Sequence, residues 1–368
     1  MFETGLSGPG SVRRARRRLA TAVGVLAGIS LGVAALAGGA SPKSPVTTIG
    51  TAGSVIGISA DGGRVATDVV LVTGTQTCDR IAVWQPAGNR ITHIGAPTCS
   101  ASDVNDVNVD SLTLAGDRVA WVGYQTGNHA YCVGPFTATL ASAEPTDLGV
   151  CDGEMSDVFF DFAGDGALLV VRQYLQCEDN CDPDYVGTYQ TDITLSKVTD
   201  KLVPIGPLKR DTQLLDVDAG RMLLANGKTL EVVSPGQGKN ALFITVPGKF
   251  QVARLSGNDA VVLSGRTVAA YDVTTGRPGL RRQLVAGGEL VDFHQGIVLY
   301  TQAENIHVLR LADGRDAVFS HVLGLVDAQL EPSGLFFAYN IPKGGPKPGR
   351  VAFIPFTAVT TLLGPRRA

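Results

Sequence analysis

Charge and aromatic rings are both in short supply in this chain of 368 residues: charged residues make up 18% and aromatic residues 6%. Low charge beside a hydrophobic fraction of 44% excludes wholesale disorder. A formal charge of −3 gives no electrostatic footprint for nucleic acid. Beyond residue 40 no stretch keeps a 3.6-residue apolar period, which excludes a helical bundle. Beyond residue 40 Gly-x-Ser-x-Gly and Ser-x-x-Lys are missing, so nucleophilic hydrolysis has no signature there. Cys-x-x-Cys and His-x-x-x-His are missing too, which leaves a zinc site short of further ligands. Glycine, by contrast, is abundant: 45 residues, about 12% against a usual level of roughly 7%. Together with 19 prolines it implies many tight turns.

Arg13, Arg14, Arg16, Arg17 and Arg18 precede the apolar run 19–40, which ends in small residues. A positive start, an apolar middle and a small-residue end read as a secretory signal. About 20 apolar residues also suffice to span a bilayer, so an uncleaved anchor is the second reading of residues 1–40. Either way the remainder is exported, because positive charge before the span leaves the downstream chain outside. Residues 1–40 carry five arginines and one acid, so the exported body has 26 basic against 33 acidic residues, a net of −7. Nucleic acid and an anionic lipid surface are therefore poor partners for it. Residues 41–49 read as a linker or a closing strand.

From residue 50 one unit recurs: an apolar strand, a Gly/Asp/Asn turn, a second apolar strand, then a hairpin. Second-strand positions fall at Val65, Val119, Leu168, Met222, Val261, Val298 and Phe336. Four strands in about 40 residues, seven times over, are the arithmetic of a β-propeller blade. The fold class expected is all-β, a seven-bladed β-propeller of four-stranded antiparallel blades spanning 50–364. The expected blades are approximately 50–99, 100–151, 152–206, 207–248, 249–288, 289–324 and 325–364. Residues 46–50 and 360–364 both resemble outer strands, and either could complete the last blade. A single closed ring is expected to be monomeric.

The run Ser59-Ala60-Asp61-Gly62-Gly63-Arg64-Val65-Ala66 resembles the opening of the repeat in TolB-type, WD-repeat-like propellers. A second copy is Glu331-Pro332-Ser333-Gly334-Leu335-Phe336-Phe337-Ala338. The hairpin 268–276 is similar to repeats of quinoprotein-like and lactonase-like propellers. Regular Gly-His and Trp-Asp pairs of the WD pattern are missing. Such resemblance implies the fold and leaves function to the site.

All six cysteines lie between 78 and 181, within the three longest blades. In an exported chain an even count reads as disulfides. Cys78 lies where a third strand begins and Cys99 just after a fourth ends, points that neighbour each other in an antiparallel hairpin. Cys132 and Cys151 occupy the same places in the next blade, and Cys177 and Cys181 close a small loop. The expected pairs are 78–99, 132–151 and 177–181. A zinc site using Cys177 and Cys181 is the rival.

Five histidines are present. His93 and His307 alternate with apolar residues in outer strands and read as exposed positions. His294 follows Asp292 on an innermost strand, near the central channel, where a neighbouring carboxylate could tune it as a base. Acids recur on the innermost strands at Asp110, Asp157, Asp161, Asp216, Asp218, Asp292 and Asp327. Asp216, Asp218, Asp292, His294 and Asp327 are the candidate binding residues, lining a negative channel mouth suited to a cation or basic peptide. Strand-end and turn positions that simply favour Asp are the plainer account. Two acidic loops, Asp103 to Asp110 and Glu178 to Asp184, offer oxygen ligands without the full calcium-loop pattern. Trp84 and Trp121 are too few for repeated quinone docking, and no metal or other cofactor is expected.

These features describe an exported, non-catalytic propeller that binds a protein or peptide at the bacterial cell envelope. The disulfide-tied insertions of the first three blades would do the recognising. The alternative is a lactonase-like or quinoprotein-like enzyme with its site around Asp216, Asp292 and His294.

Overall fold

The computed structural model describes residues 46–74, 76–99, 108–126, 131–148, 158–177, 189–208, 211–235, 242–342 and 348–365. Residues 1–40, the expected export segment, lie outside them. Twenty-eight strands form seven four-stranded antiparallel sheets, each a blade running from the channel outward. Blade 1 holds β2 (Ser54–Asp61), β3 (Arg64–Thr73), β4 (Gln76–Gln85) and β5 (Arg90–Ile94). Blade 2 holds β6 (Asn108–Ala115), β7 (Arg118–Thr126), β8 (Tyr131–Thr139) and β9 (Thr146–Asp147). Blade 3 holds β10 (Val158–Asp165), β11 (Leu168–Cys177), β12 (Tyr189–Val198) and β13 (Leu202–Pro207). Blade 4 holds β14 (Gln213–Asp218), β15 (Arg221–Asn226), β16 (Thr229–Val233) and β17 (Leu242–Thr245). Blade 5 holds β18 (Val252–Ser256), β19 (Asp259–Ser264), β20 (Thr267–Asp272) and β21 (Pro278–Gln283). Blade 6 holds β22 (Glu289–His294), β23 (Ile297–Gln302), β24 (Asn305–Arg310) and β25 (Asp316–His321).

Blade 7 takes its strands from both ends of the chain. Its inner three are β26 (Leu325–Glu331), β27 (Gly334–Asn340) and β28 (Gly349–Pro355), and its outermost is β1 (Thr47–Gly50). β1 runs antiparallel to β28, with Thr47 opposite Phe353 and Gly50 opposite Arg350. Of the two candidate closing segments, the amino-terminal one pairs. Residues 356–362 instead form a short helix, α1 (Phe356–Leu362). It packs Val359 and Leu363 against the core between blades 6 and 7. Arg310 and Arg315 donate to the carbonyls of Leu363 and Gly364, satisfying the helix end with positive charge.

Alternation along each strand places apolar residues on both blade faces, so every blade sticks to both neighbours. Seven apolar clusters result, one per junction, as with Leu214, Val217, Met222 and Leu224 of blade 4 against Leu168, Val170 and Leu195 of blade 3. Each such side chain contributes roughly 1.5–3 kcal/mol when fully buried. Glycine turns make the tight returns: Gly62-Gly63, Ala219-Gly220 and Gln295-Gly296 all have positive φ at both positions, the geometry that matches strand twist.

Cys78 and Cys99 are bonded, with Cα atoms 5.9 Å apart, tying β4 to the link that leaves β5. Cys151 and Cys181 lie outside the described residues, as do Asp157, His129, the loop 101–107 and the loop 178–188. One histidine expectation is overturned. His307 is not an exposed strand position but 5% exposed, its ring stacked 4.5 Å from that of Tyr300. Its Nδ1 faces Asp316 at 3.4 Å, and Tyr300 donates to the other oxygen of that carboxylate. β24 is the third strand, still covered by β25, so alternation there selects between two buried faces.

Candidate functional site

The innermost strands β2, β6, β10, β14, β18, β22 and β26 surround the central channel and end in hairpin turns at one mouth. Counting back from the turn, the first and third residues face the next blade around the ring. The first-position residues are Asp61, Ala115, Asp165, Asp218, Ser256, His294 and Glu331; the third-position residues are Ser59, Thr113, Ala163, Asp216, Arg254, Asp292 and Gln329.

Four of the first-position side chains accept a backbone N–H from a turn glycine of the following blade. Asp61 takes Gly116 at 2.5 Å, Asp165 takes Gly220 at 3.2 Å, Asp218 takes Gly257 at 2.7 Å, and Glu331 takes Gly63 at 3.2 Å. The third-position residues form a parallel tier one step deeper. Ser59 takes Leu114 N–H at 2.8 Å, Asp216 takes Leu255 at 2.7 Å, Asp292 takes Leu330 at 2.8 Å, and Gln329 takes Ala60 at 2.5 Å. Arg254 completes that tier in the opposite sense, donating to the carbonyl of Val291 at 2.9 Å.

The candidate acids thus bind the protein's own backbone. Asp216 and Asp292 each follow a β-bulge, at Leu215 and Val291, which turns two consecutive residues toward the next blade. Their second oxygens accept the N–H of the following residue, Val217 at 3.0 Å and Phe293 at 2.7 Å. Asp327 sits after the equivalent bulge at Val326 and takes Ala328 N–H at 2.8 Å. Measured from the bulge, Asp216, Asp292 and Asp327 hold one position, although their distances from the turn differ. In blade 3 Asp161 instead pairs with Arg172, whose Nη1 also reaches the carbonyl of Thr212 at 2.7 Å.

Electrostatics follow from crowding. Burial pushes Asp216 up to about 6, with Arg254 pulling the other way. Burial and the charge of Asp216 push Asp292 up to about 7. Glu331 also rises to about 7, through burial first, with Asp61 and Asp292 adding to it. Asp61 and Asp218 are raised by the same cause. Each charged form is disfavoured by lost hydration and held by backbone dipoles.

His294 closes the first-position ring without an acid. Its Nδ1 lies 3.2 Å from Ser256 Oγ, and its ring meets Phe356 edge-on at 5.5 Å. Burial lowers its pKa, leaving a neutral imidazole at pH 7. No hydrogen bond joins it to Asp292, so the paired base expected from their proximity in sequence is not assembled. Among the described residues no three His, Cys, Asp or Glu side chains are grouped to hold a metal ion. No helix among them is long and apolar enough to cross a membrane.

The opposite mouth carries the connections between second and third strands and between blades. The three longest connections of the ring, 95–107, 148–157 and 178–188, all leave strand ends on that side. Cys78–Cys99 anchors the first of them.

Fold and channel together define a seven-bladed β-propeller whose ring is closed by its own amino-terminal strand. Among solved structures the chain is similar to the acylaminoacyl peptidase of Pyrococcus horikoshii, with a TM-score of 0.51 at 10% identity, over 78% of this chain and 49% of that one. It therefore spans about half the length of that peptidase chain. It is also similar to the β-propeller domain of the Trilobed protease from Pyrococcus furiosus, with a TM-score of 0.52 at 9% identity, over 83% of this chain and 94% of that domain. That domain is described as revealing an open velcro topology, whereas here β1 pairs with β28. At such identities the likeness shows the fold alone. No family model matches the sequence, and no curated protein matches it.

Proposed function

We propose that the chain is an exported, non-catalytic propeller that binds a protein or peptide of the cell envelope on the mouth carrying the long connections. The placement of 95–107, 148–157 and 178–188 on one side carries the reading. Loops held on a rigid scaffold are where recognition usually resides. The disulfide Cys78–Cys99 supports it twice, by pinning one of those connections and by fitting an oxidising compartment. Channel chemistry points the same way. Asp216, Asp218 and Asp292 accept backbone N–H groups of the next blade, which supports a scaffold role for them.

Replacing 178–188 by a short Gly-Asn turn, or shortening 148–157 to five residues, the length of the link 208–212 between blades 3 and 4, tests it. Each variant should keep the circular dichroism of the folded propeller and lose cross-linking to its envelope partner. Undiminished cross-linking by every trimmed variant would overturn the reading.

A further inference from the structure

Blade 4 carries a cleft of about 300 Å³ on the face it turns toward blade 3. Its residues form one row across the sheet. Leu224 is opposite Glu231 on β16, and Glu231 is opposite Phe243 on β17, so all three side chains share a face. Leu224 is buried and floors the cleft, while Phe243 is 56% exposed and forms its outer wall. Thr212, Asn226 and Thr229 supply polar atoms at the end nearest the long connections. Glu231 is partly buried, with no hydrogen-bond or ion-pair partner among the described residues.

A cation can join a carboxylate to an aromatic ring, and this protein contains one such case. In blade 3 the guanidinium of Arg172 pairs with Asp161 and lies 4.1 Å from the centroid of the Tyr174 ring. Glu231 and Phe243 likewise set a carboxylate beside an aromatic ring, and among the described residues no cation pairs with that carboxylate or lies over that ring. A planar guanidinium suits that place, since it can stack on the ring while donating in its own plane to the carboxylate. The volume lies at the small end for ligand pockets, roughly 300–1,000 Å³, and matches one long side chain.

We infer that this cleft receives an arginine side chain of the partner protein, its guanidinium between Glu231 and Phe243. The inference rests on the binding-platform reading, because Asn226 and Thr229 flank the turn of blade 4 that opens on the proposed binding mouth.

The test titrates the folded protein with N-acetyl-arginine amide, followed by NMR shifts, beside its neutral isostere N-acetyl-citrulline amide. Saturable shifts of the amides of Glu231 and Phe243 are expected with the arginine probe alone. Glu231→Gln should weaken binding about tenfold or more, the worth of a charge-assisted hydrogen bond. Phe243→Ala should weaken it too, and Phe243→Tyr should restore it. Equal binding of the citrulline probe, no saturable binding, or full binding by Glu231→Gln would each overturn the inference. Free agmatine saturating the cleft while the blocked arginine does not would overturn the assignment to a protein partner. Trimming 178–188 separates the two readings. Lost partner cross-linking in the trimmed chain, with cross-linking intact in Glu231→Gln, sinks the cleft and keeps the platform. Arginine binding at Glu231 with cross-linking indifferent to every trimmed loop does the reverse.

Discussion

Asp61 takes the backbone N–H of Gly116 at 2.5 Å, across the junction between the first two blades. Arg64 donates to the carbonyl of the same glycine at 2.6 Å, so one residue is held by both its polar ends. Asp218 and Arg221 hold Gly257 of blade 5 in the same way. Asp218→Ala hands the Gly257 N–H of this exposed contact to water, at a cost of about 0.5–1.5 kcal/mol. Arg221→Ala removes the second grip. Because both act on one residue, the double variant should lose less or more than the sum of the two by at least about 0.5 kcal/mol. Urea denaturation of the four proteins in the cycle checks this, and simple additivity would show two independent contacts.

Stability should fall as pH rises from about 4 to 7. Asp216, Asp292 and Glu331 titrate near 6, 7 and 7 in the folded chain, above the 3.8 and 4.5 of free carboxyls. Between those values the folded state holds more protons than the unfolded state, so raising the pH favours unfolding. Their contribution is complete below the unfolded values and is lost as pH passes the folded ones. Asp292→Asn keeps an acceptor for Leu330 and abolishes one of these titrations. Its melting temperature should change less between pH 5 and pH 8 than that of the parent. An identical pH slope in the two proteins would show that Asp292 is not the titrating group.

Much of the fold was legible because a propeller repeats itself. Asp61-Gly62-Gly63-Arg64 and Ala219-Gly220-Arg221 marked inner hairpins, and Cys78 with Cys99 marked the ends of one outer hairpin. The same letters hid a second meaning. Asp–x–Gly–Arg also encodes the grip on the next blade, because the residue before the turn and the residue after it both face that blade. The recurrence of Asp at 61 and 218 with Arg at 64 and 221 was the available signal, and it pointed to a contact between repeats. The kinship of Asp216, Asp292 and Asp327 was hidden because Asp327 lies two residues further from its turn, and the bulge that precedes all three shows only in the strand register. Glu231 and Phe243 could not be paired by reading along the chain. The strand register brings them together across residues 232–242, and neither belongs to a motif.

Cys78–Cys99 closes a loop of 21 residues. By chain entropy alone such a cross-link contributes about 3 kcal/mol, chiefly by restricting the unfolded state. Cys78 is buried in the cluster between blades 7 and 1, so serine there adds a polar group to an apolar site. Cys99→Ser is the cleaner variant for the loss of the cross-link. It should lower the melting temperature by several degrees without altering the circular dichroism of the native state. A melting temperature equal to that of the parent, under non-oxidising conditions for the freed Cys78, would show the bond to be dispensable.

Ring closure depends on four residues at the amino-terminal edge. β1 is largely exposed, and only Ile49 among its side chains packs on the core, beside Phe353. Its backbone bonds to β28 are nonetheless what covers the outer edge of blade 7. Deleting 46–50 uncovers β28, whose sequence Gly-Arg-Val-Ala-Phe-Ile-Pro is apolar and ready to pair with another chain. Blade 7 should then fray first, because at that edge β28 keeps only the backbone bonds between Gly349 and Thr51 and Gly53. The expected outcome is a lower melting temperature together with concentration-dependent association on size-exclusion chromatography. Ile49→Lys keeps the backbone pairing and removes only the apolar contact, so it should lose stability while staying monomeric. If the deletion variant melts with the parent and elutes as a monomer, the clusters between blades hold the ring without the strand.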